Sequence, residues 1–133
     1  MGVEAFLVGS AVDCVLAQRL ARRLCEHCRE SYRPAGEQLV AAGLPWQPDE
    51  PLPTLWRATG CRRCSDTGYR GRLAIHEVME VSETISKLIV TGADTAEIRE
   101  AAHGEGMGTL REDGLAKVLL GHTTLEEIAR VIA

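Results

Sequence analysis

The sequence is poor in aromatic residues, which make up 4% of it as one Phe, two Trp and two Tyr. Hydrophobic residues still amount to 45%, so the chain has enough apolar material for a globular core. That core must consist mainly of Leu, Val, Ile and Ala. At 133 residues, the chain is expected to form one domain, or one domain with a small appendage.

Long apolar runs and a net positive charge are also missing. No segment approaches the roughly 18 apolar residues that a membrane-spanning helix needs. The first residues lack the positive region of a signal peptide. The net charge of −4 provides no general attraction for nucleic acid. We therefore expect a protein of the reducing cytoplasm, where paired cysteines favour metal over disulfide.

Four of the five cysteines occur as two C-x-x-C pairs, Cys25 with Cys28 and Cys61 with Cys64. Two intervening residues allow one tight turn to aim both sulfurs at the same point, and two such turns complete a tetrahedral site with four sulfur ligands. This closed site leaves no open position for water. The pattern therefore predicts a structural zinc ion and no catalytic one.

Three alternatives to this zinc site stay open. The thiols could form disulfides or remain unused. One C-x-x-C pair could be a redox motif, although no βαβ pattern surrounds either pair. His27 or His76 could replace one cysteine ligand. The fifth cysteine, Cys14, lies in an apolar stretch, where the pattern favours a small buried hydrophobic residue.

Basic residues concentrate around both cysteine pairs. Four arginines are placed to offset the excess negative charge of a zinc ion with four thiolates, namely Arg23, Arg29, Arg62 and Arg63. Such a basic patch could instead bind phosphates, so a free-standing zinc ribbon that binds nucleic acid is the alternative function. Against it, few aromatic rings are available for base stacking, and the chain as a whole is acidic.

Periodicity predicts the elements of the first 81 residues. Strands are expected over 55–59 and 72–81, a short helix over 35–42, and a proline-rich loop over 43–53. Residues 10–24 are ambiguous. The leucines at positions 16, 20 and 24 have helical spacing, whereas Phe6-Leu7-Val8 could begin a buried strand.

After residue 82 the period becomes helical, and about four short helices are predicted. Ile85, Leu88 and Ile89 form one apolar stripe. The expected capping pairs are Asp94 with Glu97, Thr109 with Glu112, and Thr124 with Glu127. No catalytic group is predicted, because the glycine-rich run 104–109 lacks the lysine and the spacing of a phosphate-binding loop. An enzyme that acts alone is therefore disfavoured.

Several segments resemble, in the same order, the C-terminal part of type II secretion system ATPases (protein E) and of the related type IV pilus assembly ATPases. They are VLAQRLARRLC ending at Cys25, WRATGC ending at Cys61, TGYRGR ending at Arg72, IHE ending at Glu77, TLREDG ending at Gly114 and TTLEE ending at Glu127. The resemblance covers nearly the whole chain and is weakest over residues 36–55.

The resemblance implies an α+β fold: the end of a RecA-like core with an inserted tetracysteine zinc subdomain and a C-terminal cluster of short helices. Residues 1–24 would be the tail of the nucleotide-binding core, 25–72 the zinc subdomain, and 73–133 a strand plus the helical region. On this mapping, the stretch that contains Leu16 and Leu20 would be a core strand.

The resemblance also implies a function. Members of this family are hexameric ATPases at the cytoplasmic face of the inner membrane, where they couple ATP hydrolysis to pilus or pseudopilus assembly with membrane platform proteins. Their Walker motifs, which serve ATP and magnesium, would lie upstream of Met1, so this chain is not expected to hydrolyse ATP alone. Only Cys25, Cys28, Cys61 and Cys64 carry over as site residues, as zinc ligands.

Overall fold

The computed structural model describes residue 9, residues 11–44 and residues 46–132 of this mixed α/β chain. The strands are β1 (Cys14–Leu24), β2 (Glu30–Tyr32), β3 (Leu55–Arg57) and β4 (Tyr69–Glu80). The helices are α1 (Gly36–Ala42), α2 (Glu83–Val90), α3 (Thr95–Gly104), α4 (Leu110–Leu119) and α5 (Leu125–Ile132), and a 3₁₀ helix covers Arg62–Cys64.

The strands form two small sheets. β1 pairs with β4, and β2 pairs with β3 in an antiparallel arrangement. Cys25 at the end of β1 donates its N–H to the carbonyl of Gly68 just before β4, at 2.9 Å. At the other end, Val81 N–H donates to the Asp13 carbonyl, also at 2.9 Å. β1 and β4 therefore run in opposite directions.

The chain divides into two compact units. The first comprises Met1–Ala17 and His76–Thr109, and the second comprises Gln18–Ile75 and Leu110–Ala133. The core of the second unit consists of buried aliphatic residues: Ala21, Leu39, Leu44, Leu55, Ile75, Leu115, Val118, Leu125 and Ile128. The expected Leu, Val, Ile and Ala core is thus confirmed for this unit. The division at residues 24 and 72 stays a prediction.

In the first unit, polar side chains determine where two helices begin. Ser82 Oγ accepts the N–H of Ile85 at 3.2 Å at the start of α2. Asp94 accepts the N–H of Glu97 at 2.9 Å at the start of α3, which confirms the predicted cap. Both side chains satisfy N–H groups that a helix leaves without an internal partner.

Residues 14–24 form a strand, so the helical interpretation of Leu16, Leu20 and Leu24 is wrong. Every fourth residue of a strand also lies on one face, because four is a multiple of the strand period. Leu24 is buried, whereas Leu16 and Leu20 are exposed by 56% and 48%. Cys14 is exposed as well, which contradicts its prediction as a buried residue. The strand expected at residues 6–8 lies outside the described residues.

The other predicted elements are present with shifted ends. The strand expected over 55–59 ends at Arg57, and the strand expected from residue 72 already begins at Tyr69. The short helix begins at Gly36. The described residues of the loop 43–53 contain neither helix nor strand. Four helices follow residue 82 as expected, within the part of the chain that the structure describes.

The start of α5 buries a charged side chain. Thr124 Oγ1 accepts the N–H of Glu127 at 3.1 Å, which is one half of the predicted capping box. In place of the other half, the Glu127 carboxylate accepts the Arg22 N–H at 2.9 Å, the Arg22 guanidinium at 3.1 Å, and the Arg130 guanidinium. Burial alone would raise the pKa of Glu127, but these hydrogen bonds from Arg130 and Arg22 outweigh it and lower the pKa to about 2.

The Glu127→Gln variant should be less stable than the unchanged chain by about 2–4 kcal/mol at pH 7, because it loses charge-assisted bonds in a site that is 2% exposed. A lowered pKa stabilises the fold above the ordinary value of 4.5, and this contribution is lost as pH falls from 4.5 towards 2. Urea unfolding at several pH values should show the difference shrinking in that window.

The matched control is Glu126→Gln, because Glu126 precedes Glu127 on α5 and is exposed. It should change stability little at any pH. A Glu127→Gln penalty that is equally large at pH 2.5 and pH 7 would contradict the role given to the carboxylate charge.

The turn between α4 and α5 packs closely against two side chains. Arg29 donates from Nη1 to the Gly121 carbonyl at 2.6 Å, and its guanidinium lies 4.2 Å from the ring centroid of Trp56. Gly121 has a φ of +81°, and a Cβ there would lie 2.6 Å from Arg29 Nη1 and 2.8 Å from Trp56. Only glycine combines this backbone conformation with this close approach.

We expect Gly121→Ala to destabilise the chain by more than about 2 kcal/mol, because steric overlap adds to the cost of about 1–2 kcal/mol for a left-handed backbone. Gly92→Ala is the control, since Gly92 has a φ of +74° and no atom within 4 Å of a built Cβ. Urea unfolding of both variants measures the difference. Equal losses would mean that Arg29 and Trp56 move aside at no cost.

Candidate metal centre

The first cysteine pair lies directly after β1. Cys25 is almost completely buried, and Arg29 N–H donates to its carbonyl at 3.1 Å, which closes a tight turn over residues 25–29. The hydroxyl of Thr59 donates to the Cys28 carbonyl. Because Thr59 stands two residues before the second pair, this bond ties the two cysteine turns together.

The second pair occupies the 3₁₀ helix and its flanks. Cys64 Sγ accepts N–H groups from Cys61 and Gly68, each at 3.2 Å. Asp66 N–H donates to the Cys61 carbonyl at 2.8 Å, which turns the chain back on itself. The N–H groups of Cys61 and Gly68 point at Cys64 Sγ and therefore favour the negatively charged form of this sulfur.

The sulfur atoms of the four predicted ligands converge, and all of them lie within 4.8 Å of one another. The distance is 3.7 Å from Cys25 Sγ to Cys61 Sγ, 3.8 Å from Cys28 Sγ to Cys64 Sγ, and 3.7 Å between the two sulfurs of the second pair. A tetrahedral ion with bonds of about 2.3 Å to sulfur requires neighbouring sulfurs about 3.8 Å apart. The spacing therefore fits a metal ion, and all four cysteines are free thiols.

The surroundings of the thiols differ. Burial would raise the pKa of Cys64, but the N–H groups of Cys61 and Gly68 outweigh burial and lower the pKa to about 6. A hydrogen bond with Thr59 lowers the pKa of Cys28. Burial raises the pKa of Cys61 to about 11. The cluster thus combines thiols that ionise readily with one that needs a nearby cation to ionise.

Three of the four arginines expected to offset the cluster charge have other partners. Arg29 is held at the turn between α4 and α5. Arg23 lies 3.9 Å from the Glu26 carboxylate, and Arg63 Nη1 lies 2.8 Å from His27 Nε2. Among the described residues, Cys64 Sγ accepts its N–H groups from the backbone of Cys61 and Gly68. His27 is engaged by Arg63, and the metal-binding group found among the described residues consists of the four cysteines alone.

The sequence model of the type II/IV secretion system protein family matches residues 1–130. The chain belongs to this family. The resemblance drawn from the motif series is therefore confirmed.

Curated relatives of this family match almost all of the chain. It is 49% identical to the type IV pilus assembly ATPase PilB of Thermus thermophilus, over 99% of its own length. It is 46% identical to the PilB protein of Myxococcus xanthus over 96%. It is 42% identical to the type II secretion system protein E of Aeromonas hydrophila over 98%. The chain spans only 15%, 23% and 25% of these relatives, respectively.

Within the described residues, no helix has the length and apolar character that crossing a membrane requires.

The spacing of the cysteines pointed to the four residues that the structure brings together. The contact of Arg29 with Gly121 was not predicted from the sequence. A glycine two residues after α4 indicates a positive φ there, but it does not identify the partner.

Proposed function

We propose that Cys25, Cys28, Cys61 and Cys64 hold one structural zinc ion. The observation that carries this proposal is the convergence of four sulfurs within 4.8 Å of one another, with three pairs at 3.7–3.8 Å. Thiolates are soft ligands that suit zinc, and four of them leave no open position for water. The ion would therefore supply folding free energy, which amounts to about 10–16 kcal/mol in small zinc modules at neutral pH. Residues 25–72 would form the zinc subdomain.

Residues 1–24, with the strand that begins the segment 73–133, would belong to the end of a RecA-like core. Large apolar side chains on β1 and β4 are exposed by 46–56%, namely Val15, Leu16, Leu20 and Val78. A sheet of two strands is only marginally stable in water. Exposed apolar side chains on such a sheet support the idea that further parts of a longer protein cover it.

The longer protein would be a hexameric ATPase, cytoplasmic and peripheral at the inner membrane, that couples ATP hydrolysis to pilus or pseudopilus assembly. The relatives named as pilus assembly ATPases and as a secretion system protein support this proposal. Membrane platform proteins would be its partners. ATP and magnesium would bind at a site that does not include the four cysteines. The zinc-bearing region would contribute structure without taking part in ATP hydrolysis.

A free-standing nucleic-acid-binding module is the weaker candidate. Arginines of the chain itself already cover three of its aromatic rings at 4.2–4.4 Å from the ring centroids: Arg22 on Tyr69, Arg29 on Trp56 and Arg57 on Tyr32. Those rings would have to stack on bases in a single-strand binding protein. Both the arginines and the rings are therefore engaged within the chain.

The zinc proposal predicts one zinc ion per purified chain by elemental analysis and native mass spectrometry. Cys61→Ser should lose the ion and lower the unfolding temperature by at least about 10 °C, because metal binding and folding are coupled. Cys14→Ser is the matched control, since Cys14 is exposed and remote in sequence from both pairs. It should keep both the zinc and the unfolding temperature. A metal-free chain, or iron in place of zinc, would contradict the proposal.

A further inference from the structure

The turn between α4 and α5, residues 120–124, is fastened to segments that flank the cysteine pairs. Leu24 N–H donates to the His122 carbonyl at 2.8 Å, and Arg29 donates to the Gly121 carbonyl at 2.6 Å. Thr123 is completely buried. The last carbonyls of α4 accept N–H groups of the turn itself, because Gly121 N–H donates to Val118 and His122 N–H donates to Lys117. The carbonyls of Gly121 and His122, by contrast, find their donors in the cysteine-bearing segment.

One of these attachments, the bond from Arg29 to the Gly121 carbonyl, depends on the geometry of the cysteine turns. Arg29 is the residue after Cys28, and its N–H closes the first cysteine turn on the carbonyl of Cys25. Its guanidinium lies over Trp56, three residues before Thr59, whose hydroxyl donates to the Cys28 carbonyl. The backbone of Arg29 is thus positioned by the first cysteine turn, whereas the ring beneath its guanidinium belongs to β3, where Trp56 pairs with Ser31 of β2.

A second set of attachments belongs to the strands. Thr123 Oγ1 donates to the Arg22 carbonyl at 2.8 Å, and Tyr69 Oη lies 2.8 Å from Thr124 Oγ1. Arg22 also bonds the buried carboxylate of Glu127. Arg22 is part of β1 and Tyr69 is part of β4, and these strands pair with each other. These contacts do not pass through a cysteine.

We propose that the metal centre holds Gly121 in the turn between α4 and α5 through Arg29. Loss of metal then releases this part of the turn, while the contacts of Thr123, Thr124 and Glu127 with the strands persist. The inference rests on the proposed zinc site. Without an ion bound to all four sulfurs, no bond joins the two cysteine turns at their sulfur atoms, and the turn over 25–29 opens. Arg29 then leaves both Gly121 and Trp56, whereas the bonds of Arg22 persist.

The coupling must act in both directions, because a contact that depends on the metal also stabilises the metal. Removing the guanidinium of Arg29 should therefore loosen the turn while zinc is still bound. It should also weaken zinc binding by the factor by which zinc stabilises the turn. Without such coupling, removing the guanidinium would loosen the turn but leave zinc binding unchanged.

Hydrogen exchange followed by mass spectrometry tests this on the 133-residue chain. Removing zinc with a chelator should speed the exchange of residues 120–122 by about tenfold, and that of residues 127–132 much less. With zinc bound, Arg29→Ala should give the same local increase. It should also lose zinc to a competing chelator at about tenfold lower chelator concentration.

The matched control is Arg57→Ala, which removes another arginine that stacks on a ring, 4.4 Å from the centroid of Tyr32. It should leave the exchange of the turn and the zinc affinity unchanged. If Arg29→Ala does not fold, the chelator series on the unchanged chain decides the question alone.

Three results would overturn the inference while the zinc site stands: Arg29→Ala with zinc bound and an unchanged turn, Arg29→Ala with unchanged zinc binding, or zinc removal that speeds exchange equally over the turn and residues 127–132. A chain that binds no zinc would remove both the proposed function and this coupling.

Discussion

Four sulfur atoms that lie within 4.8 Å of one another, three pairs of them 3.7–3.8 Å apart, are the constraint on which the second unit depends. Two of them come from the end of β1 and two from the loop before β4. Sulfurs at this distance form no covalent bond, and once ionised they repel one another unless a cation lies between them. Two hydrogen bonds reinforce the arrangement, because Cys25 N–H donates to the Gly68 carbonyl and the Thr59 hydroxyl donates to the Cys28 carbonyl.

The rest of the second unit relies on contacts other than those of the sulfur atoms. Its aliphatic core contains no large aromatic anchor among the fully buried residues described, and the buried polar residues are Thr123, Thr124 and Glu127. Removing one partner of a buried ion pair costs more than the pair itself contributes, because a charge remains unpaired. The bonds of Glu127 with Arg22 and Arg130 therefore fix where α5 lies on β1 more than they add to total stability.

Local patterns predicted the features that depend on neighbouring residues. The two cysteine pairs and the cap at Asp94 could be read from spacing, because a tight turn or a first helical turn involves only a few residues. The strand nature of β1 could not, since leucines at every fourth position satisfy the helical and the strand period alike. Only the family resemblance pointed to the strand there.

These patterns could not identify contacts between residues that lie far apart in the sequence. Glu127 has the spacing of a capping box, yet its carboxylate bonds Arg22, 105 residues earlier in the sequence. The close contact of Gly121 with Arg29 is of the same kind. Cys14 was predicted to be buried from the apolar character of its neighbours, but in this chain the strand that carries it is largely exposed.

The most direct test of the central claim is X-ray absorption at the zinc edge on the purified chain. We expect four sulfur neighbours at about 2.3 Å from zinc and no nitrogen or oxygen bound to it. A mixed shell with imidazole or water, or an absence of bound zinc, would contradict it.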